Sequence, residues 1–372
     1  MATVHILIDY RPALRERTGV GEYAHQLATA LVGLLPENDR LTLFSSSWKD
    51  RLRADVVSGT QVVDTRVPVS LLNLAWHRLE WLPIERLAGD VDVVHSMHPL
   101  LMPARRAAQV VTIHDLHFLD APENTTAEIR RDYGSLTAAH APRADAVIAV
   151  SEYTAARVRS ELAVSRDAIA VCPSGAPNWP RAEPYAQNGP ILFMGTIEPR
   201  KNVGTLVKAY RELLRVRPDA PNLVLAGKVS PSAEAEISSI RDSPLNGRVR
   251  HLGYVSANDR ERLYREASMF VLPSLDEGFG LPVLEAMTVG IPVVASNRGA
   301  LPEVAGDAAL LVEPGDMAGF AAAMDKVLAD PALAQRLIAE GHRRSLRYTW
   351  KSSAARLLEA YASALERRRS RA

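Results

Sequence analysis

Short runs of aliphatic residues recur along the chain, separated by longer stretches with helical spacing. In the first 175 residues these runs are VHILI, LTLFS, VDVVHS, VVTIHD, AVIAVS and IAVCPS. From Pro190 the same pattern restarts with ILFMGT, NLVLAG, RVRHLGYV, MFVLPS, PVVAS and AALLVEP. Continuous apolar runs that alternate with helices are typical of parallel sheets buried on both faces. The pattern therefore predicts two parallel sheets.

A proline-rich stretch separates the two series. The sequence PSGAPNWPRAEPYAQNGP contains five prolines and can continue neither a helix nor a central strand. The predicted organisation is a Rossmann-like domain over 1–175, a linker over 176–189, a second Rossmann-like domain over 190–346 and a final helix over 347–372. In such sheets ligands bind at the carboxyl ends of the strands.

Length and composition agree with two globular domains. The chain has 372 residues, 47% hydrophobic and 23% charged, with a formal net charge of +1, which gives no support to a nucleic-acid partner. The single cysteine, Cys172, excludes a disulfide framework. Asp9 and Arg11 come too early for a signal peptide, and no later run of 18 apolar residues is present. We expect a cytoplasmic protein.

The final helical pattern ends in the basic run RRRSR. Arginines at the carboxyl end of a helix meet its partial negative charge, which favours a solvated cap. Attraction to anionic lipid is the alternative, so peripheral contact with the inner face of a membrane stays open.

The stretch PSLDEGFGLPVLEAMTVGIPVVAS carries two glutamates, Glu277 and Glu285, with seven residues between them. Pro282 suits the first turn of a helix, so we predict that a helix begins near Leu281. The glycines of EGFG permit close approach of a ligand, and the N–H groups of the following turn form an anion site. A diphosphate fits there, with a carboxylate on each side for sugar or ribose hydroxyls. A turn with a helix-capping acid is the alternative.

A second cluster, FMGTIEPRKNVGTLVKAY, ends a predicted strand at Gly195 and resumes a helix near Val203. Arg200 and Lys201 then lie at the carboxyl end of the strand, where two adjacent cations suit a pyrophosphate leaving group. Lys201 is the more informative because only six of the 44 basic residues are lysine. Arg200 could equally be a solvated surface residue.

These two clusters resemble the signatures of the family 4 retaining glycosyltransferases. The resemblance implies an α/β protein of the GT-B fold, with two Rossmann-like domains whose parallel sheets face a central cleft, and we expect the final helix to pack on the amino-terminal domain. It also implies that Glu277 lies near the transferred sugar, that Glu285 binds the ribose and that Lys201 neutralises the pyrophosphate. Many members carry an arginine where this chain has Thr196, so part of the phosphate role falls to Arg200.

Backbone groups supply much of the implied donor site. Amides at the start of the predicted helix meet the sugar and phosphate, and the HLGYV stretch lies by the nucleobase. The implied donor-binding residues are Gly19, Gly21, Gly195, Thr196, Tyr254, Val255, Gly278, Phe279, Gly280, Leu281 and Glu285.

Two features of the amino-terminal half complete the candidate site. Gly19 and Gly21 precede a helix and resemble the family's glycine loop, although the same pattern also serves simple strand-to-helix packing. His114 ends a predicted strand, where the family has a histidine beside the donor sugar; a structural histidine is the alternative, and Asp115 could merely fix a turn. The catalytic residues predicted are His114, Glu277, Lys201 and Arg200.

Two tryptophans, Trp76 and Trp81, lie in a leucine-rich stretch. Acceptor binding or docking at a membrane surface is one interpretation, and a helix packed on the amino-terminal core is the other. Neither residue is counted in the predicted site.

The expected reaction is transfer of a hexose from a nucleotide-diphosphate sugar to a glycan or lipid-linked acceptor, with retention of the anomeric configuration. No Asp, His or Cys cluster has metal-ligand spacing, so we expect no metal and no cofactor. The GTIEPRKN variant resembles mannosyl-type members, which suggests GDP-mannose. A nucleotide-sugar epimerase, a phosphorylase or a non-catalytic nucleotide-sugar-binding protein on the same fold are alternatives. No G-x-G-x-x-G follows the first strand, so an NAD-dependent enzyme lacks support. The oligomeric state cannot be predicted from these patterns.

Overall fold

A computed structural model describes residues 3–14, 17, 19–122, 130 and 133–371. The chain divides into two compact units, an amino-terminal unit of Met1–Gly175 with Thr349–Ala372 and a carboxyl-terminal unit of Ala176–Tyr348. Each unit contains one parallel sheet. The predicted fold class of two Rossmann-like α/β domains is therefore confirmed.

The sheet of the amino-terminal unit is built from the predicted aliphatic runs and one additional strand. Its strands are β1 His5–Asp9, β2 Arg40–Ser46, β3 Gln61–Thr65, β4 Val93–Ser96, β5 Ala108–Ile113, β6 Ala146–Ala149 and β7 Ile169–Val171. Their order is β3-β2-β1-β4-β5-β6-β7, with parallel pairing throughout. Strands β1, β4 and β5 are neighbours at the centre, so the residues that follow them share one edge of the sheet.

Helices cover this sheet. They include α1 Val20–Val32, α2 Val69–Asn73, α3 Glu85–Ala88, α4 His117–Asp120, α5 Gly134–His140 and α6 Glu152–Glu161. The tryptophan stretch is not one continuous helix, because a π-helical turn, Leu74–Arg78, follows α2. Trp76 is fully buried in the core, whereas Trp81 is 60% exposed.

The sheet of the carboxyl-terminal unit has one strand in each predicted run of the second series. The strands are β8 Ile191–Met194, β9 Leu223–Ala226, β10 Val249–Gly253, β11 Met269–Leu272, β12 Val293–Ser296 and β13 Leu310–Val312. Their order is β10-β9-β8-β11-β12-β13, again parallel. The carboxyl ends of β10, β9, β8 and β11 therefore lie in one row.

The helices of this unit begin with α7 Val203–Val216 and α8 Glu234–Ile237. They continue with α9 Ala257–Glu266, α10 Leu281–Val289, α11 Leu301–Ala305, α12 Met317–Ala329 and α13 Pro331–Ser345. Helix α10 starts at Leu281, as Pro282 predicts.

The final helix, α14 Trp350–Arg371, packs against α1, β5 and β6 of the amino-terminal unit. A buried hydrogen-bonded chain holds it there, because His95 lies 2.7 Å from Tyr361 Oη through Nδ1 and 2.7 Å from Thr112 Oγ1 through Nε2. No helix among the described residues is both long and apolar enough to cross a membrane.

Candidate functional site

The loop between β11 and α10 carries Glu277 and ends at a residue that must be glycine. Gly280 caps α10 with φ +98°, a left-handed conformation that side chains rarely adopt. A Cβ at this position would lie 2.5 Å from Leu301 Cδ2. The glycine therefore lets the loop turn directly into the helix, and the first amides of α10 follow within a few residues of Glu277.

Glu277 is buried and paired with two cations. Its side chain is 7% exposed, Lys201 Nζ lies 2.5 Å from Oε1, and Arg200 Nη1 lies 3.1 Å from Oε2. The hydroxyl of Ser274 donates a further hydrogen bond of 2.6 Å to Oε1. Burial opposes ionisation, but the charges of Lys201 and Arg200 and the hydrogen bonds lower the pKa of Glu277 to about 2. The carboxylate is ionised at neutral pH.

The lowered pKa of Glu277 predicts a pH-dependent stability difference. The unfolded chain has the ordinary value of 4.5 and the folded chain about 2, so the stabilisation is fully present above about pH 5 and is lost as the pH falls through the folded value. We expect the gap in free energy of unfolding between wild type and Glu277→Gln to narrow below about pH 4. Urea unfolding across this range measures it. Glu266→Gln, at an exposed position, serves as the control. A stability difference between wild type and Glu277→Gln that stays constant with pH would contradict the lowered pKa of Glu277.

Arg200 and Lys201 reach Glu277 because their turn is tied to its loop. They lie in a short 3-10 helix, Pro199–Lys201, that follows β8. Leu275 N–H donates to the Arg200 carbonyl at 2.8 Å, and Asn202 Nδ2 donates to Pro273 O at 3.1 Å. Asn202 adopts a left-handed conformation, φ +54°, before α7 begins. The ends of β8 and β11 are thus held together by backbone and side-chain hydrogen bonds.

Arg200 contacts more than one acceptor. Its Nη1 also donates to Asp276 O at 3.0 Å, and its Nη2 lies 2.9 Å from Glu198 Oε1. The structure therefore places the predicted cations and Glu277 in direct contact, where the sequence suggested that they bind separate parts of a ligand. Their catalytic roles stay predictions.

Glu285, the second predicted glutamate, lies on α10 with 2% of its side chain exposed. Arg260 Nη2, from α9, is 3.1 Å from its Oε1. Sequence reasoning missed Arg260, because one arginine among 38 in the chain carries no signal of its own.

The ends of β8, β9 and β10 carry the remaining predicted donor residues of this unit. Gly227 N–H donates to Gly253 O at 2.8 Å, and a Cβ on Gly227 would lie 1.8 Å from Gly195 O, so the backbones are closely packed. Tyr254 is 45% exposed, and Lys228 Nζ lies 5.2 Å from its ring centroid. Thr196 and Val255 follow β8 and β10, and Phe279 packs edge-on against Tyr348 with ring centroids 5.6 Å apart. The three strand spacings from β10 to β11 amount to about 14 Å, so an elongated ligand could contact both ends.

In the amino-terminal unit His114 follows β5 and is half-buried. Its Nε2 lies 3.2 Å from Met97 O, and Tyr23 contacts the ring edge-on at 5.1 Å. Burial lowers the pKa of His114 to about 4, against the opposing effect of Asp115. The imidazole is neutral at neutral pH, and Nε2 is the donor because its partner is a carbonyl. Asp115 accepts the His117 N–H at 3.2 Å, which is the turn-fixing role.

The two glycines before α1 have different surroundings. Gly19 has φ +41°, and no atom lies within 4 Å of a Cβ built on it. Gly21 packs tightly, since a Cβ there would lie 2.5 Å from Pro12 O. Gly21 therefore serves close packing, and Gly19 provides the open backbone at the start of the helix.

A polar cluster beside His114 was missed by sequence reasoning. Asp9 ends β1 with a side chain that is fully buried, and Arg11 forms two hydrogen bonds to it, Nε to Oδ1 at 2.8 Å and Nη2 to Oδ2 at 2.7 Å. His98, after β4, places Nε2 3.5 Å from Asp9 Oδ2. Burial opposes ionisation of Asp9, but Arg11 and His98 hold its pKa well below the usual range. The available signal was the position of Asp9 at the carboxyl end of a buried run.

Two parallel-sheet units, with a cation–carboxylate cluster at the carboxyl ends of two strands, agree with the fold and the donor-side residues that the family resemblance implies. Two family models match, Glycosyltransferase Family 4 over residues 17–178 and Glycosyl transferases group 1 over residues 181–344. The chain belongs to the group 1, family 4 glycosyltransferases and is a glycosyltransferase.

Curated relatives agree with this family, and solved structures share the fold. The chain is 31% identical to O-antigen chain mannosyltransferase B of Escherichia coli, over 96% of this chain and 99% of that protein. It is also 31% identical to MMP alpha-(1->4)-mannosyltransferase of Mycolicibacterium hassiacum, over 75% of this chain and 72% of that protein. Sucrose-phosphate synthase from Thermosynechococcus elongatus shares the fold, with a TM-score of 0.78 at 22% identity, over 97% of this chain and 98% of that one.

Proposed function

We propose that the protein is a retaining mannosyltransferase that moves mannose from GDP-mannose to a glycan or lipid-linked acceptor without a metal ion. The observation that carries the proposal is the buried Lys201–Glu277–Arg200 cluster in a chain that aligns end to end with a bacterial mannosyltransferase. The cluster supplies positive charge where the leaving group departs. The similarity to a mannosyltransferase supports mannose as the transferred sugar.

The cations of the cluster stabilise the departing diphosphate. A bound diphosphate competes with Glu277 for Lys201 and Arg200, because the charged nitrogens of both cations already lie within 3.1 Å of the Glu277 carboxylate oxygens. The amides at the start of α10 add hydrogen-bond donors beside the same loop. Preorganised donors of this kind act on the charge that develops in the transition state. No metal is needed for that step.

The reaction replaces one bond to the anomeric carbon with another on the same face. The bond to the phosphate oxygen breaks with its electron pair leaving on the diphosphate, and the acceptor oxygen forms the new bond. The acceptor proton passes to the departing phosphate oxygen. Glu277 positions the sugar through its hydroxyls, because its ionised carboxylate accepts hydrogen bonds.

His114 contributes a hydrogen-bond acceptor in the amino-terminal unit. With Nε2–H donated to Met97 O, its Nδ1 carries the lone pair and accepts from a sugar hydroxyl. The lowered pKa keeps it neutral, so it does not act as an acid at neutral pH.

A lipid-linked acceptor or a membrane surface has a candidate contact in the same unit. Leu79 is 64% exposed and Trp81 is 60% exposed, on either side of Glu80, whose φ is +45°. Arg143 holds this turn through two hydrogen bonds to the Glu80 carboxylate, of 2.6 and 2.7 Å. An exposed apolar pair on a fixed turn suits contact with an acyl or polyprenyl chain.

We expect GDP-mannose to stabilise the protein more than UDP-glucose or ADP-glucose does. A ligand at 100 times its dissociation constant adds about 2.7 kcal/mol to the free energy of unfolding. Thermal unfolding with each donor measures the difference. Guanosine alone is the control for binding of the base, and equal shifts with all three donors would contradict the choice of GDP-mannose.

Product analysis tests the rest of the proposal. Nuclear magnetic resonance of the glycan formed from GDP-α-mannose should show an α-linkage, and turnover should persist in EDTA. A β-linked product would overturn retention. Loss of turnover in EDTA, restored by a divalent cation, would overturn metal independence.

A further inference from the structure

The carboxylate of Glu285 is paired with a cation from the preceding helix. It is 2% exposed on α10, and Arg260 Nη2 lies 3.1 Å from Oε1. A buried carboxylate without a cation would protonate or be strongly destabilising. The stability of the buried Glu285 carboxylate is therefore coupled to Arg260, which comes from the preceding helix.

Aromatic contacts hold Arg260 in place. Its guanidinium carbon lies 5.3 Å from the ring centroid of Trp179, and the Trp179 ring lies 5.8 Å from that of Tyr264. A guanidinium over an aromatic face keeps its N–H donors in the plane, where they reach a carboxylate at the edge. Trp179, from the predicted linker, thus covers Arg260.

Tyr264 lies beside the same carboxylate. It is fully buried one turn after Arg260 on α9, so the two side chains share a face of the helix. Burial, together with the charge of Glu285, raises the pKa of Tyr264 well above its ordinary value. The Glu285 carboxylate therefore lies beside both Arg260 and Tyr264.

The other face of α9 provides a matched arginine. Arg262 is 60% exposed and lies 3.0 Å from Asp259 and 3.7 Å from Glu266. Exposed pairs of this kind contribute little to stability. Arg262 is thus an arginine on the same helix as Arg260, but its side chain is exposed to solvent.

We propose that Arg260 is a positioning residue that orients the Glu285 carboxylate for the ribose hydroxyls of the donor nucleotide. This rests on the proposed function, in which Glu285 binds the ribose. Arg260 engages Oε1 and so holds the carboxylate in one orientation for hydroxyl donors. Trp179, itself packed on Tyr264, covers the guanidinium of Arg260.

The test compares affinities for GDP and for 2′,3′-dideoxy-GDP, measured by titration calorimetry. We expect wild type to prefer GDP by about tenfold or more, as for hydrogen bonds to a charged acceptor. Arg260→Ala should reduce this preference to below about threefold, and Arg260→Lys should give an intermediate value because a lysine keeps the charge but not the planar fork. Arg262→Ala should retain the wild-type preference.

Trp179→Leu is the second variant, since it removes the cover over Arg260 without leaving a buried charge unpaired. It should lower the preference for ribose while the thermal transition stays close to that of wild type. Together with Arg260→Lys it keeps the test independent of whether Arg260→Ala folds.

Other outcomes overturn the inference in distinguishable ways. If Arg260→Lys and Trp179→Leu weaken GDP and dideoxy-GDP equally, Arg260 acts on the phosphates or on folding instead. If wild type transfers mannose yet binds both nucleotides equally, the ribose role of Glu285 fails while the transferase function stands. If wild type binds neither nucleotide and transfers no sugar, the proposed function itself fails.

Discussion

Replacement of Lys201 by alanine should lower the turnover number by about 10²-fold or more, the scale of losing one preorganised charge donor in an active site. The side chain is buried against Glu277. In the proposed mechanism Lys201 stabilises the departing diphosphate, and Glu277 positions the sugar. In the variant Arg200 remains as the single cation of the cluster, still engaged by Glu277. Steady-state transfer from GDP-mannose to a glycan acceptor measures the loss.

The control for Lys201 is Lys208, an exposed lysine on α7. Lys208→Ala should leave turnover unchanged. A second control separates catalysis from folding: Lys201→Met combined with Glu277→Gln removes both charges of the Lys201–Glu277 contact, so the buried carboxylate is not left with only one of its two cations. That pair should recover thermal stability but not turnover. Wild-type turnover in Lys201→Ala would refute the role assigned to the lysine.

The central strands of both sheets could be predicted because they are buried on both faces. Runs such as ILFMGT and MFVLPS contain the strands β8 and β11, whose residues are all buried. The edge strand β3 was not predicted. Its sequence, QVVDT, is half-buried or exposed throughout and has polar residues at both ends, so it lacks a continuous apolar run.

The helix start at Leu281 was also predictable, because it depends on local chemistry. Pro282 fixes the first turn, and Gly280 adopts the left-handed conformation before it. Both effects act between neighbouring residues. They need no knowledge of how distant segments pack.

The pairing within the site could not be predicted from the sequence. Glu277 and Lys201 are 76 residues apart, and their 2.5 Å contact depends on the hydrogen bonds that join the ends of β8 and β11. The resemblance to a family identified both residues without showing that they bind each other. Arg260 was undetectable for a different reason: its partner Glu285 is on the next helix along the chain, and nothing in the local sequence links them.

Asp9→Asn should destabilise the amino-terminal unit by about 3–5 kcal/mol, because it leaves the side chain of Arg11 without its charge partner. Arg11 is only 10% exposed and has its guanidinium carbon 5.1 Å from the ring centroid of Trp76, so it cannot easily recover water as a partner. Urea unfolding at neutral pH measures the change. The control is Asp55→Asn, which removes an ion pair of similar length, 2.8 Å, whose side chains are 79% and 69% exposed.

Asp9→Asn and Asp55→Asn should therefore differ in their effect on the free energy of unfolding, although the two ion pairs have similar lengths. Solvent screens the Arg53–Asp55 pair, so its loss should leave the free energy of unfolding almost unchanged. Asp9 has no exposed surface, and although burial raises its pKa, Arg11 and His98 together lower that pKa well below its usual range. An ionised Asp9 is thus part of the folded state even at mildly acidic pH. If Asp9→Asn were as mild as Asp55→Asn, Arg11 would have another partner in the cluster, and His98 and Asn73, both within 3.5 Å of it, would be the residues to replace next.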